Sequence, residues 1–212
     1  MFEVFEKIMT IGIVPEIDPK SEEQALAFLE AISRAGLGCA KIAMRSEGAE
    51  DLLRKARQQF PQLLIGAGTI LSVLKGEAAM HAGAQFLTSP GFDFDLVDWC
   101  FEHSLPIIPS VTTPSEIMHV MKTGLRLVQF FPVEAIGGVP VLRSISAPFP
   151  EMRYIAAGGI NPFNLESYLR LPIVAGVTGT WISAPGMTKD PDWAAVEALA
   201  RSAVETVKKI RG

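Results

Sequence analysis

Lys41 is the side chain best placed for covalent chemistry. Of the lysines Lys7, Lys20, Lys41, Lys55, Lys75, Lys122, Lys189, Lys208 and Lys209, it alone falls inside a strand-like run, Cys39–Arg45; the others fall in helical patterns, loops or tails. Strand residues two apart share a face, so Lys41, Ala43 and Arg45 point the same way, with the small Ala43 leaving room between the two cations. Burial and a nearby like charge both favour the neutral amine that a nucleophile requires. Glu16, near the end of the run Gly12–Ile17, is either an ion-pair partner for Lys41 or an acid/base group. The run is too short to tell whether Glu16 points in or out.

A second group of residues has the chemistry of anion binding. Ala157-Gly158-Gly159-Ile160-Asn161-Pro162 follows a strand-like run and leads into a helical pattern, and Gly179-Thr180 follows the next run. Glycines allow close backbone approach, and a helix N-terminus offers free N–H groups and the positive end of its dipole. Such turns hold phosphate without help from a lysine or arginine; as isolated features they are also ordinary tight turns.

These residues need a scaffold, and the sequence supplies a regular one. Strand-like runs at Gly12–Ile17, Cys39–Arg45, Leu63–Ala67, Phe86–Ser89, Leu105–Pro109, Arg126–Phe131, Arg153–Ala156 and Val174–Gly179 alternate with amphipathic stretches. The stretch after Ser21 opens with Gln24 three residues on, a capping box, and Pro114 follows Thr113 at a favoured first-turn position. Later helical patterns cover Ala49–Phe60, Ser72–Ala82, Phe94–Glu102, Thr113–Thr123, Gly138–Ser144 and Asn161–Leu171, with Trp193–Arg211 closing the chain. The order predicts an α/β fold, a single (β/α)8 TIM barrel over residues 1–212, its bottom capped by a leading helix at Phe2–Met9. A doubly wound open sheet is the alternative, though no linker marks a second lobe. In a barrel the ligand site lies at the C-terminal strand ends, where Arg45, Thr69, Pro90, Phe131, Gly158, Gly159, Gly179 and Thr180 all fall.

Composition removes several function classes. The 212 residues are 49% hydrophobic and 20% charged, with a formal net charge of −4, and no Lys/Arg run exceeds two, so no nucleic-acid partner is expected. No apolar run reaches the ~18 residues of a bilayer span, and the first ten residues lack the order of a signal peptide, so a cytoplasmic protein with no membrane partner is expected. Cys39 and Cys100 read as small buried hydrophobes, and His81, His103 and His119 lie too far apart to form a metal cluster.

Ile65-Gly66-Ala67-Gly68-Thr69-Ile70-Leu71, Ala82-Gly83-Ala84-Gln85-Phe86 with Ser89-Pro90-Gly91, Phe130-Phe131-Pro132-Val133-Glu134 with Gly137-Gly138, Ala157-Gly158-Gly159-Ile160 and Gly179-Thr180-Trp181 occur in this order, and Met44-Arg45-Ser46-Glu47 precedes them. From about Ile11 to Ser183 the sequence resembles the 2-keto-3-deoxy-6-phosphogluconate (KDPG) and 4-hydroxy-2-oxoglutarate (KHG) aldolases. The resemblance implies a homotrimeric class I lyase, free of metal and cofactor, that forms a Schiff base between a strand-six lysine and the keto group of pyruvate. It implies Arg45 as the carboxylate-binding arginine, Thr69, Pro90 and Phe131 as substrate-pocket residues, and Gly158, Gly159, Gly179 and Thr180 as the phosphate site. The expected partner is a small keto-acid phosphate.

Two central positions depart from the family pattern. Gln129 stands where the resemblance calls for the Schiff-base lysine, and Lys41 stands where it calls for the proton-moving glutamate; Ala157 also replaces a threonine. A glutamine amide cannot form an imine. The expectation is that the amine has moved to strand two, with Lys41 as nucleophile, Gln129 as a neutral hydrogen-bonding partner, and Glu16 as the displaced acid/base group. Against it stand an altered or inactive homologue that binds a sugar-acid phosphate, with Lys41 paired to Glu16, and a phosphosugar isomerase or epimerase.

Overall fold

The computed structural model describes residues 2–212. Eight parallel strands close into a barrel in sequence order: β1 Ile13–Ile17, β2 Cys39–Ala43, β3 Leu64–Gly68, β4 Leu87–Ser89, β5 Ile107–Val111, β6 Leu127–Phe130, β7 Arg153–Ala157 and β8 Val174–Gly179. Helices α2 Glu22–Arg34, α3 Ala49–Gln59, α4 Val73–His81, α5 Phe94–Glu102, α6 Pro114–Lys122, α7 Gly138–Ser146 and α8 Leu165–Leu169 connect them in turn. Helix α1, Phe2–Ile11, precedes β1, and α9, Trp193–Arg211, ends the chain. This is the (β/α)8 architecture that the alternation predicts.

Every residue of β2 through β6 is buried. That is the signature of strands covered by helices outside and packed by side chains within. It leaves a polar strand residue only one tolerable direction, toward other polar groups in the barrel interior.

The helix starts follow local chemistry. Ser21 Oγ accepts the Gln24 N–H at 3.2 Å, while Gln24 Oε1 takes the Lys20 N–H, one residue before the cap rather than the cap's own. Ahead of α6 the box is complete: Thr113 Oγ1 accepts the Glu116 N–H, and Glu116 Oε2 accepts the N–H groups of Thr112 and Thr113, both at 2.8 Å. Burial raises the Glu116 pKa, but the bonds from the Thr112 N–H, the Thr113 hydroxyl and the Thr113 N–H outweigh it and hold the carboxyl below its ordinary value. A depressed carboxyl stabilises the fold above the unfolded-state pKa, and that contribution is lost as pH falls through the lower folded-state value. Glu116→Gln is therefore expected to lower Tm at pH 7 and to lose this deficit on acidification, as thermal melts of both proteins from pH 7 to pH 3 would record. A pH-independent difference would contradict the linkage.

Three boundaries near the site differ from the sequence pattern. Strand β2 ends at Ala43, so Arg45 lies in the turn beyond it and not in the strand run Cys39–Arg45. Strand β5 begins and ends two residues later than Leu105–Pro109, which brings Ser110 into the barrel wall rather than the cap before α6. Helix α8 covers only Leu165–Leu169, not Asn161–Leu171. Asn161 Oδ1 accepts the N–H groups of Phe163 and Asn164, and Asn164 Oδ1 accepts the Asn161 N–H. These side-chain turns compete with helix formation, so the glycine pair does not open directly onto a helix N-terminus.

At the opposite, N-terminal face, α1 packs against β1 and β8, with Phe5 and Ile8 in the common core. The Arg211 guanidinium donates to the Val174 and Ala175 carbonyls at 3.3 and 2.8 Å, tying α9 to the start of β8.

Candidate active site

Strand register assembles the polar centre. Glu16 on β1 lies opposite Lys41 on β2, and Ser110 on β5 lies opposite Gln129 on β6. Residues paired in register on parallel strands point to the same side, so these two pairs face each other across the interior. Lys41 is 3% exposed, and its Nζ has three neighbours: Glu16 Oε2 at 2.8 Å, Gln129 Oε1 at 2.9 Å and Thr88 Oγ1 at 3.4 Å. Gln129 Nε2 donates to Ser110 Oγ at 3.0 Å, and the Ser110 hydroxyl donates to the Ser89 carbonyl at 2.6 Å.

Glu16 joins this centre to the rim. Its second oxygen accepts from Arg45 Nη2 at 3.0 Å, while Arg45 Nε donates to Thr69 Oγ1 at 3.1 Å. The third guanidinium nitrogen, Nη1, lies 3.9 Å from Asp18 Oδ2. The Arg45 side chain is half exposed, so it can meet an incoming anion while the Lys41 amine stays beneath it. Thr69 carries its hydroxyl on a backbone with φ of +59°, a left-handed conformation that is rare for a β-branched residue. The following N–H, on Ile70, is held by the Thr88 carbonyl at 3.0 Å.

The cavity above these groups has a volume of about 330 Å³. Pro90 and Phe131 line one part of its wall, and Gly158, Gly159, Gly179, Thr180 and Trp181 line another. Gly158 and Gly159 have φ of +90° and +84°. A Cβ on Gly159 would stand 2.5 Å from Glu134 Cβ, and one on Gly158 would stand 3.0 Å from Pro132 Cα. The glycine pair is thus required where the loop after β7 meets the loop after β6, and it also leaves backbone facing the cavity. The Tyr168 hydroxyl donates to the Glu134 carboxylate beneath this junction. Burial first, and that bond second, push the Tyr168 pKa upward.

An amine, a carboxylate within proton-transfer reach, a neutral acceptor and a guanidinium therefore surround one pocket at the C-terminal strand ends. This set suits nucleophilic attack on a keto group beside a carboxylate. The cysteines offer no competing nucleophile: Cys39 and Cys100 are both buried, and burial pushes the Cys100 thiol up to about 12.

A family model described as KDPG and KHG aldolase matches residues 4–199. The chain belongs to the KDPG and KHG aldolase family. It is 37% identical over 204 residues to the KHG/KDPG aldolase of Escherichia coli K12, covering 96% of each chain. It is 31% identical over 207 residues to a 2-dehydro-3-deoxy-phosphogluconate aldolase of Treponema pallidum, covering 98% of this chain and 99% of that one. Among solved structures, the 2-keto-3-deoxy-6-phosphogluconate aldolase of Zymomonas mobilis superposes with a TM-score of 0.89 at 29% identity, over 94% of this chain and 96% of that one. The KDPG aldolase of Legionella pneumophila, solved with pyruvate captured at low pH as a covalent carbinolamine intermediate, gives 0.82 at 33% identity, over 99% and 97%.

Measured against this family frame, Lys41, Arg45, Gln129, Glu16, Thr69, Pro90, Phe131, Gly158, Gly159, Gly179 and Thr180 all line the one cavity. The register answers the question that sequence left open for Glu16, which points inward. Glu47 is exposed, and the acidic partners of Arg45 are Glu16 and Asp18. Glu134 is an exposed loop carboxylate that also accepts from the Tyr168 hydroxyl. Thr88 and Ser110 are polar wall residues; Thr88 escapes the sequence reading, and Ser110 reads there first as part of the cap before α6, with a substrate-binding hydroxyl second. Their signal was a hydroxyl inside an otherwise apolar strand run, and the misplaced end of β5 hid it for Ser110.

Proposed function

We propose that the protein is a carbon–carbon lyase that cleaves a phosphorylated 2-keto-3-deoxy sugar acid to pyruvate and an aldehyde phosphate, with Lys41 as the imine-forming amine. The observation that carries this reading is the buried Lys41 amine, which faces the cavity between a carboxylate 2.8 Å away and the Gln129 carbonyl oxygen 2.9 Å away. Family membership supports the reaction class and the substrate class. The inward-facing amine supplies the one group that Gln129 cannot.

The steps balance as follows. The Lys41 ammonium gives a proton to Glu16, and the free amine attacks C2 of the keto acid. The keto oxygen leaves as water, taking one amine hydrogen and one proton returned by Glu16, and the iminium keeps a single N–H. Glu16, now ionised, accepts the C4 hydroxyl proton as the C3–C4 bond breaks, releasing the aldehyde and leaving an enamine. Return of that proton to C3, followed by hydrolysis, frees pyruvate and Lys41. Arg45 would hold the C1 carboxylate, a geometry suited to its planar fork. Thr69, Pro90 and Phe131 would bound the substrate. Backbone around Gly158, Gly159, Gly179 and Thr180 would receive the phosphate without a cofactor or metal. Membership also suggests a cytoplasmic homotrimer, for which the exposed Leu71, Leu74, Phe94 and Met118 offer apolar surface.

One observation favours a second reading. Glu16 bonds both Lys41 and Arg45, so the charges are internally paired, as in a homologue that binds a keto-acid phosphate and leaves it intact. Sodium borohydride in the presence of pyruvate separates the two. A reduced pyruvyl adduct, mapped by peptide mass spectrometry to Lys41, is expected. No adduct, with saturable binding of a sugar-acid phosphate in calorimetry, would establish the second reading instead. Deuterium exchange into the substrate without cleavage would point to an isomerase or epimerase.

A further inference from the structure

Ser110 is 1% exposed and sits in the barrel wall two bonds away from the Lys41 amine. Its hydroxyl has one hydrogen, and the Ser89 carbonyl, 2.6 Å away, can only accept. That hydrogen is therefore committed to Ser89. Toward Gln129 the Ser110 oxygen can act only as an acceptor, so the group 3.0 Å from it must be the Gln129 amide nitrogen. The Gln129 carbonyl oxygen is then left facing Lys41. The direction of every bond in the chain Lys41, Gln129, Ser110, Ser89 follows from the one backbone carbonyl at its end.

We infer that Ser110 is a positioning residue for the aldolase reaction: it locks the Gln129 amide with its oxygen toward Lys41, so that the single N–H of the iminium always meets an acceptor. The inference rests on the Lys41 reading given above. An iminium nitrogen has no lone pair and one hydrogen. Facing the oxygen of Gln129, it gains a hydrogen bond at a buried position; facing the amide NH2, it would meet donor against donor. Glu16 is occupied with proton transfer during these steps, and Thr88 Oγ1 is more distant at 3.4 Å. Gln129 is 5% exposed, so without Ser110 its amide nitrogen would lose a buried acceptor, and its two orientations would compete.

The test is a double-mutant cycle read by two assays, the rate of borohydride trapping with pyruvate and the separate kcat and KM for cleavage of a 2-keto-3-deoxy-6-phospho sugar acid. Ser110→Ala is expected to slow trapping and lower kcat by roughly tenfold, with KM changed by less than about twofold because Arg45 is untouched. Gln129→Met should slow trapping by a similar factor, and adding Ser110→Ala to it should change the rate by less than about twofold, since Ser110 acts only through Gln129. Ser110→Thr keeps the hydroxyl and is the conservative rescue; it should recover most of the trapping rate, which keeps the proposal open to refutation even if the alanine variant folds poorly. Equal losses from Ser110→Ala with and without Gln129→Met would mean a merely structural role and would overturn the inference. So would a Ser110→Ala protein that traps pyruvate at the wild-type rate. If the wild-type protein itself traps no pyruvate, the Lys41 reading falls and the role of Ser110 falls with it, an outcome distinct from a failure confined to the variant.

Discussion

Lys41→Arg is expected to reduce kcat/KM for retro-aldol cleavage by a factor on the order of 10³ or more, because loss of a covalent nucleophile is among the costliest single changes in an active site. The substitution keeps a positive charge beside Glu16 and Arg45, so the electrostatics of the pocket are disturbed less than by a neutral residue. What it removes is the nucleophile: a guanidinium stays protonated and its nitrogens are delocalised. No other lysine lies in a strand, and none among the described residues lines the cavity, so no second amine is at hand to take over. Pyruvate release measured on a phosphorylated 2-keto-3-deoxy acid, with a thermal melt to confirm folding, gives the answer. Cleavage at undiminished speed would show that the reaction does not pass through Lys41.

Replacing Glu16 is expected to be the most damaging change to stability in the pocket. Glu16→Met leaves the buried Lys41 and the neighbouring Arg45 without their shared counter-charge. Removing one partner of a buried pair costs about 3–5 kcal/mol, which at roughly 2–4 °C per kcal/mol for a chain of this size lowers Tm by roughly 6–20 °C. Lys41→Met should cost less, because Glu16 keeps its bond to the half-exposed Arg45 at 3.0 Å. The double variant should recover much of the loss, since an apolar pair of similar volume often substitutes for a buried ion pair at little cost. Melts of the three variants at pH 7 test the ordering. Additive losses, with the double variant the least stable, would show that the two charges do not depend on each other.

The difference between these two experiments separates the readings of Lys41. Internal pairing alone predicts the stability cycle and no borohydride adduct. Catalysis predicts both, because the carboxylate that stabilises the resting ammonium is the group that takes its proton.

The order of the elements was legible in the chain because it depends on local pattern. Apolar runs of strand length, caps such as Ser21 and Thr113, and the amphipathic stretch at Trp193–Arg211 act within a few residues of themselves, and the corresponding strands and helices are present. Lys41 was legible for the same reason: it is the one lysine in a strand, although Arg45, which the two-residue repeat put on the same strand face, lies in the turn beyond β2. The family motifs located the cavity wall, including Thr69 and Gly158. Errors arose where side chains compete with the backbone, as at Asn161 and Asn164, and where Pro106 and Pro109 blurred the limits of β5.

Which polar groups meet is a different matter. In a strand covered on both sides every position is buried, so no alternation reveals which residues face the interior. The inward turn of Glu16 is fixed by its register against Lys41, and that of Ser110 by its register against Gln129. Register across a closed barrel is set by the simultaneous fit of all eight strands, not by any single run. Sequence thus determined that an amine stands in the second strand. Only closure of the barrel could bring to it a carboxylate from the first strand, a hydroxyl from the fourth and an amide from the sixth, because those contacts join positions that no local interaction relates.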